Sequence, residues 1–126
     1  MVIDKKDKKK FIKKAEEIKN VFEKQNLEVK EIVSDSILKI NKIKLCLLFS
    51  NDSEYVKYIC TNTKVDAICI TSRLETSYIL EILEKVKDIH FLNTSTEEIC
   101  ARILSYIKLI ENRRKCMKDE FYFAEN

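Results

Sequence analysis

The chain contains no glycine and no proline in 126 residues, where average usage would supply about 7% and 5%. Without glycine there is no P-loop, no GxGxxG dinucleotide fingerprint and no nucleophile elbow, since each needs a residue lacking Cβ where backbone approaches a phosphate or turns sharply. Turns must be made by Asn, Asp, Ser and Lys, as at Asn51-Asp52-Ser53 and Asn93-Thr94-Ser95. Long apolar runs are missing too. The longest, Leu45 to Phe49, is strand-sized, and the lysine-rich N-terminus lacks the apolar segment of a secretion signal. These absences predict no membrane association and a cytoplasmic protein, with access to the nucleus if the source is eukaryotic.

Metal and nucleophile chemistry are poorly supplied. The five cysteines, Cys46, Cys60, Cys69, Cys100 and Cys116, form no CxxC pair, and His90 is the single histidine. A zinc site would need thiolates from scattered elements, so the cysteines read as small buried thiols in a reducing compartment. Ser50, Ser53 or a cysteine would act as a nucleophile only beside a positioned base. His90, flanked by apolar residues, reads instead as a half-buried strand residue. Asp52, Glu54, Asp66, Glu75 and Asp88 lie near strand ends, but nothing in their spacing makes them converge as a phosphodiester-cleaving metal cluster would require. Asp52 is accounted for as a helix cap. No catalytic, cofactor or metal residues are expected, and the chain is not expected to be an enzyme.

What is present is a globular composition, 45% hydrophobic and 36% charged, of a length suited to one domain with one core over residues 1–126. Residues 1–7 and 117–126 are expected to fray. From Lys8 to Lys24, Phe11, Ala15, Ile18 and Phe22 fall on one face of an amphipathic helix. Seven lysines between Lys5 and Lys14 are either a solvated face or an electrostatic footprint for nucleic acid. Leu27 to Ile43 fits a strand with an irregular turn or a second helix. Beyond it the pattern is regular. Leu45–Phe49, Val65–Ile70 and Ile89–Leu92 read as strands, a helix bearing Tyr55, Val56, Tyr58 and Ile59 follows the first, and Thr76–Lys87 is a helix with Ile79, Ile82, Leu83 and Val86 in one stripe. This alternation predicts an α/β domain with a mixed sheet, some strands parallel, and an N-terminal amphipathic helix.

The last predicted helix, Ser95 to Lys115, opens on a hydroxyl cap followed by Glu97 and Glu98 and closes on Arg113, Arg114 and Lys115, matching the helix dipole at both ends. Ile99, Ile103, Tyr106, Ile107 and Ile110 gather on one side, Cys100 and Leu104 widen the arc one way, and Leu109 widens it the other. One buried face needs roughly 100° or somewhat more. An arc this wide means that the helix is buried nearly all round or that one side awaits a partner.

The apolar strand ending in Ser50, the polar turn, the helix through Tyr58-Ile59, the strand Val65–Thr71 and the series Arg102-Ile103-Leu104, Ile107, Leu109-Ile110-Glu111, Arg113-Arg114 together resemble the small kinase-binding subunit of the KEOPS complex. Val2-Ile3-Asp4 followed by Phe11–Lys24 is similar to the strand and helix that precede this half in that family. Asn51 stands where the family commonly has glycine, and Leu27 to Ile43 is longer than its counterpart. The resemblance implies a non-catalytic subunit that docks on the small atypical kinase of KEOPS and helps hold tRNA for threonylcarbamoylation of the adenosine next to the anticodon. On that reading Leu104, Ile107 and Leu109 meet the kinase, and Lys8, Lys9, Lys10, Lys13, Lys14, Arg113, Arg114, Lys115 and Lys118 meet tRNA phosphates. A second resemblance is to the non-catalytic partner of the structure-specific excision-repair endonuclease, without its helix-hairpin-helix tail. A diverged α/β nuclease is the enzyme alternative.

Overall fold

The structure, a computed structural model, describes residues 1–31 and 45–125, with side chains described as far as Asn112. The elements run β1 (Val2–Ile3), a short 3-10 turn (Lys5–Asp7), α1 (Lys8–Lys24), β2 (Cys46–Phe49), α2 (Ser53–Asn62), β3 (Ala67–Thr71), α3 (Thr76–Leu83), β4 (Asp88–Phe91) and α4 (Thr96–Glu125). The strands lie side by side in the order β1-β2-β3-β4. Each pairing is parallel, with Val2 beside Leu48, Cys46 beside Ala67 and Ile68 beside Asp88. The chain is thus a small α/β domain, as the alternation of apolar runs and amphipathic stretches predicts. The expected mixed sheet is parallel throughout its described strands: each of the helices α2 and α3 carries the chain back to the edge of the sheet from which the previous strand began. Leu27 to Ile43, left open between strand and helix, falls largely outside the described residues.

β2 and β3 are buried along their whole length because helices cover both faces, which is why they read as continuous apolar runs rather than alternating ones. On one face Leu47, Phe49, Ile68 and Ile70 pack with Phe11, Ala15, Ile18 and Phe22 of α1 and with Ile99, Cys100 and Ile103 of α4. On the other, Val2, Cys46, Leu48, Ala67 and Cys69 pack with Val56 and Ile59 of α2 and with Tyr78 and Ile82 of α3. Each fully buried large aliphatic contributes about 1.5–3 kcal/mol. Two successive crossovers of one hand, in one direction, place α2 and α3 on the same face. The chain leaves β4 for the opposite face, so α4 lies beside α1.

Several boundaries differ from expectation. Residues 1–7 were expected to fray, yet Val2 and Ile3 pair with Leu48 and Phe49, and Met1, Val2 and Asp4 are buried. α4 does not stop near Lys115, and the backbone of 117–125, also expected to fray, is helical. α3 ends at Leu83 instead of Lys87. Its buried residues are Tyr78 and Ile82, with Val86 buried just beyond its end, while Leu80 and Leu83 remain 61% and 48% exposed. Leu83 was expected in the buried stripe; at 100° per residue it lies too far round from the Tyr78–Ile82 line.

The end of α1 shows how the chain turns without glycine. Asn26 holds φ at 62°, the left-handed region. Its N–H donates to Glu23 O at 3.1 Å, and Leu27 N–H donates to Phe22 O at 3.0 Å. These are the two bonds of a Schellman cap, and Leu27 adds the usual apolar contact by packing on the cluster that contains Phe22. Asparagine is the side chain best able to hold this conformation where glycine is missing. Asn26→Gly should raise stability by a few tenths to about 1 kcal/mol and Asn26→Ala should lower it by about 1 kcal/mol, as read from urea unfolding midpoints.

Candidate functional site

Open α/β sheets bind ligands at the carboxyl ends of their strands, and here those ends carry a connected polar network. The register that pairs Ile3 with Phe49 and Phe49 with Ile70 sets Asp4, Ser50 and Thr71 in a row one residue further on. All three are buried. Ser50 Oγ donates to Asp4 Oδ2 at 2.8 Å and accepts from Asp52 N at 3.0 Å. Asn51 is the hub: its Oδ1 accepts from Thr71 Oγ1 at 2.7 Å and Ser72 N at 2.8 Å, its Nδ2 donates to Ser72 Oγ, and its N–H donates to Asp7 Oδ2. Arg73 donates to Asn51 O and lies over the Tyr78 ring, 4.5 Å from its centroid, and Tyr78 OH donates to Ser50 O.

The Ser50 end of this network is turned inward. Ser50 is fully buried and its hydroxyl is used by Asp4 and Asp52, so it is not presented as a nucleophile. Asp52 caps α2 through Glu54 N, as its position after the strand predicts, and receives Lys6 Nζ at 2.8 Å. The Lys6 hydrogen bond holds the Asp52 carboxyl below the usual carboxylate range and raises the Lys6 ammonium above its own. The other acids disperse. Glu75 pairs with Arg73 near the carboxyl ends, whereas Asp66 accepts from Tyr106 OH before β3 begins and Asp88 opens β4. A strand of five residues spans about 17 Å, so these two groups of acids cannot meet at one ion. Among the described residues no group of three or more His, Cys, Asp and Glu could hold a metal. Asp4, Asp7, Thr71, Arg73 and Tyr78 were not foreseen in the network. The readable signal is the polar pair that closes each apolar strand, Ser50-Asn51 and Thr71-Ser72.

The apolar arc of α4 is shared among three environments. Ile99 and Ile103 are fully buried against the sheet and Cys100 is buried beside them. Leu104, Tyr106 and Ile107 are partly buried on the same cluster, and Thr96 Oγ1 ties the start of the helix to Glu17 of α1 at 2.7 Å. Leu109 is 46% exposed. The strip assigned by sequence to a partner, Leu104, Ile107 and Leu109, is therefore divided: the first two are partly covered because the sheet and α1 share the cover of this helix, and Leu109 faces outward.

Of the basic residues assigned to tRNA, those of α1 have described side chains. Lys8, Lys9, Lys10 and Lys13 are exposed and Lys14 is half-buried, all at the beginning of α1, where cations oppose the helix dipole. α1 and α4 both start at the carboxyl edge of the sheet. The backbone of residue 113 comes about 26 Å along α4 from Thr96 at 1.5 Å per residue. The side chains of Arg113, Arg114, Lys115 and Lys118, like that of Cys116, lie outside the described residues.

The four cysteines described are free thiols. Burial pushes Cys46 and Cys100 up to about 11 and Cys69 up to about 12, and raises Cys60 as well, which leaves them protonated and unreactive at neutral pH. His90, expected to be half-buried, is buried. Compared with known proteins, the chain matches no family model, no curated protein and no solved structure. Among the described residues no helix is long and apolar enough to cross a membrane.

The network makes its own prediction. Asn51→Ala removes three side-chain hydrogen bonds that join β2 to β3, and should cost about 1–3 kcal/mol in denaturant unfolding. Asn51→Asp, which keeps the acceptors for Thr71 and Ser72, should cost less. Equal losses in the two variants would mean that Asn51 Oδ1 is not what joins the strands.

Proposed function

We propose that this chain is a non-catalytic docking subunit that engages a partner through the outer side of α4. The partner is the small atypical kinase of the KEOPS complex, and the chain assists tRNA binding for threonylcarbamoyladenosine formation. The observation that carries the docking role is the exposure of Leu109 on a helix far longer than its seat. α4 has 30 residues, about 45 Å at 1.5 Å each, beside strands that span about 13–17 Å. Part of the aliphatic series that resembles the kinase-binding family is used by the core, since Ile103 is buried and Leu104 and Ile107 are partly covered. Leu109 is the member of that series left outside. Exposed Lys8, Lys9, Lys10 and Lys13 support the contact with RNA phosphates. The acids held at opposite ends of the sheet lend no support to the nuclease alternative.

Leu109→Glu should leave the melting temperature within about 2 °C of the parent, as expected for an exposed substitution. It should also weaken binding at least about tenfold, because apolar anchors carry most of an interface's energy. Leu104→Glu should lower the melting temperature as well, since its side chain is partly inside. The measurement is co-purification of the kinase with each variant, beside thermal unfolding of the free chain. Failure of the unmodified chain to recover any kinase, or full recovery with Leu109→Glu, would sink the proposal.

A further inference from the structure

His90 occupies a position that the polar network and the docking surface leave unused. It sits beside Ile70 in the sheet, on the face covered by α1 and α4, and is 96% buried, with 4% of its surface exposed. Its Nε2 has no hydrogen bond, although Asp88 Oδ2 lies 3.2 Å away. The ring borders a cleft of about 230 Å³ lined by Ile89, His90, Phe91, Thr94, Glu98 and Arg102. Across that cleft Arg102 and Glu98, one turn apart on α4, pair at 3.1 Å. Charging a ring this deeply buried is opposed by the loss of its hydration, even with the Asp88 carboxylate nearby.

We propose that the contact between β4 and the first two turns of α4 is a proton-sensitive joint. A proton taken up by His90 from solvent places a second positive charge beside Arg102 at a buried site and loosens the seating of α4 over the adjoining cleft. Burial and, next to it, the Arg102 charge hold His90 below the ordinary histidine value, while Asp88 and Glu98 act the other way; from β3 it meets only apolar Ile70 in register. The seated helix therefore favours the neutral ring. Its stability is fully present above the ordinary value of about 6.5 and declines as pH falls below it. The joint does not depend on the identity of any partner, and its test uses the free chain.

Because His90 is the single histidine, its ring C–H resonance titrates alone in an NMR spectrum. The expected midpoint lies below about 6.5. Amide protection at Ile99, Cys100 and Ile103 should fall on acidification, by up to about tenfold for each unit by which the midpoint is depressed. Asp88→Asn should move the midpoint down and Arg102→Gln should move it up, and the acid-dependent loss of protection should move with it, whereas a merely space-filling His90 predicts protection that does not follow the midpoint. His90→Phe should remove the acid-dependent loss of protection. A midpoint at or above the ordinary value, protection unaffected by acid, or shifts of the wrong sign would overturn the joint.

Discussion

The seating of α4 by Ile99 and Ile103 is the interaction on which the other features depend. These two side chains are completely buried with Ile68, Ile70 and the apolar face of α1, and they fix the rotation of the helix about its axis. Once they are seated, Tyr106 is directed to Asp66, Glu98 and Arg102 line one cleft with His90, and Leu109 is left outside. A different rotation would bury Leu109 and release Ile103. Because the central strands are covered on both faces, such a change would also uncover apolar surface that no polar contact could compensate.

The absence of glycine and proline is met by side-chain hydrogen bonds in place of backbone freedom. At the end of α1, Asn26 accepts the left-handed conformation. At the end of β2, the turn is held by Ser50, Asn51 and Asp52, each bonded to a neighbouring strand, helix or connecting turn. Such turns are specific but closed. The carboxyl edge of the sheet, where a glycine-rich loop would leave backbone N–H groups facing a ligand, is here occupied by its own polar side chains.

Much of the fold was legible in the sequence because its signals are periodic. Phe11, Ala15, Ile18 and Phe22 form the buried face of α1 as their spacing predicts, and the apolar runs ending at Phe49 and Thr71 form the central strands. Short elements were harder to read. Val2–Ile3 is two residues long and has no period; it becomes a strand through pairing with Leu48 and Phe49. Leu83 was misplaced because Tyr78, which anchors the true stripe of α3, counts as amphipathic in a sequence and as core once its hydroxyl finds Ser50 O. Register across the sheet is a tertiary property, so the union of Asp4, Ser50 and Thr71 could not be read from spacing along the chain. The wide arc of α4 was visible; that the sheet and α1 partly cover Leu104 and Ile107 was not.

The proposed docking through α4 makes a local demand. The outer side near Leu109 must be open in the free chain and covered in the complex, while Ile99 and Ile103 remain seated in both. The most direct test is residue-resolved hydrogen exchange of α4 with and without the KEOPS kinase. Docking predicts new protection at amides 105–112 on adding the kinase, with Ile99 and Ile103 already protected and unchanged. Protection appearing only on another element, or no change anywhere in the chain, would contradict it.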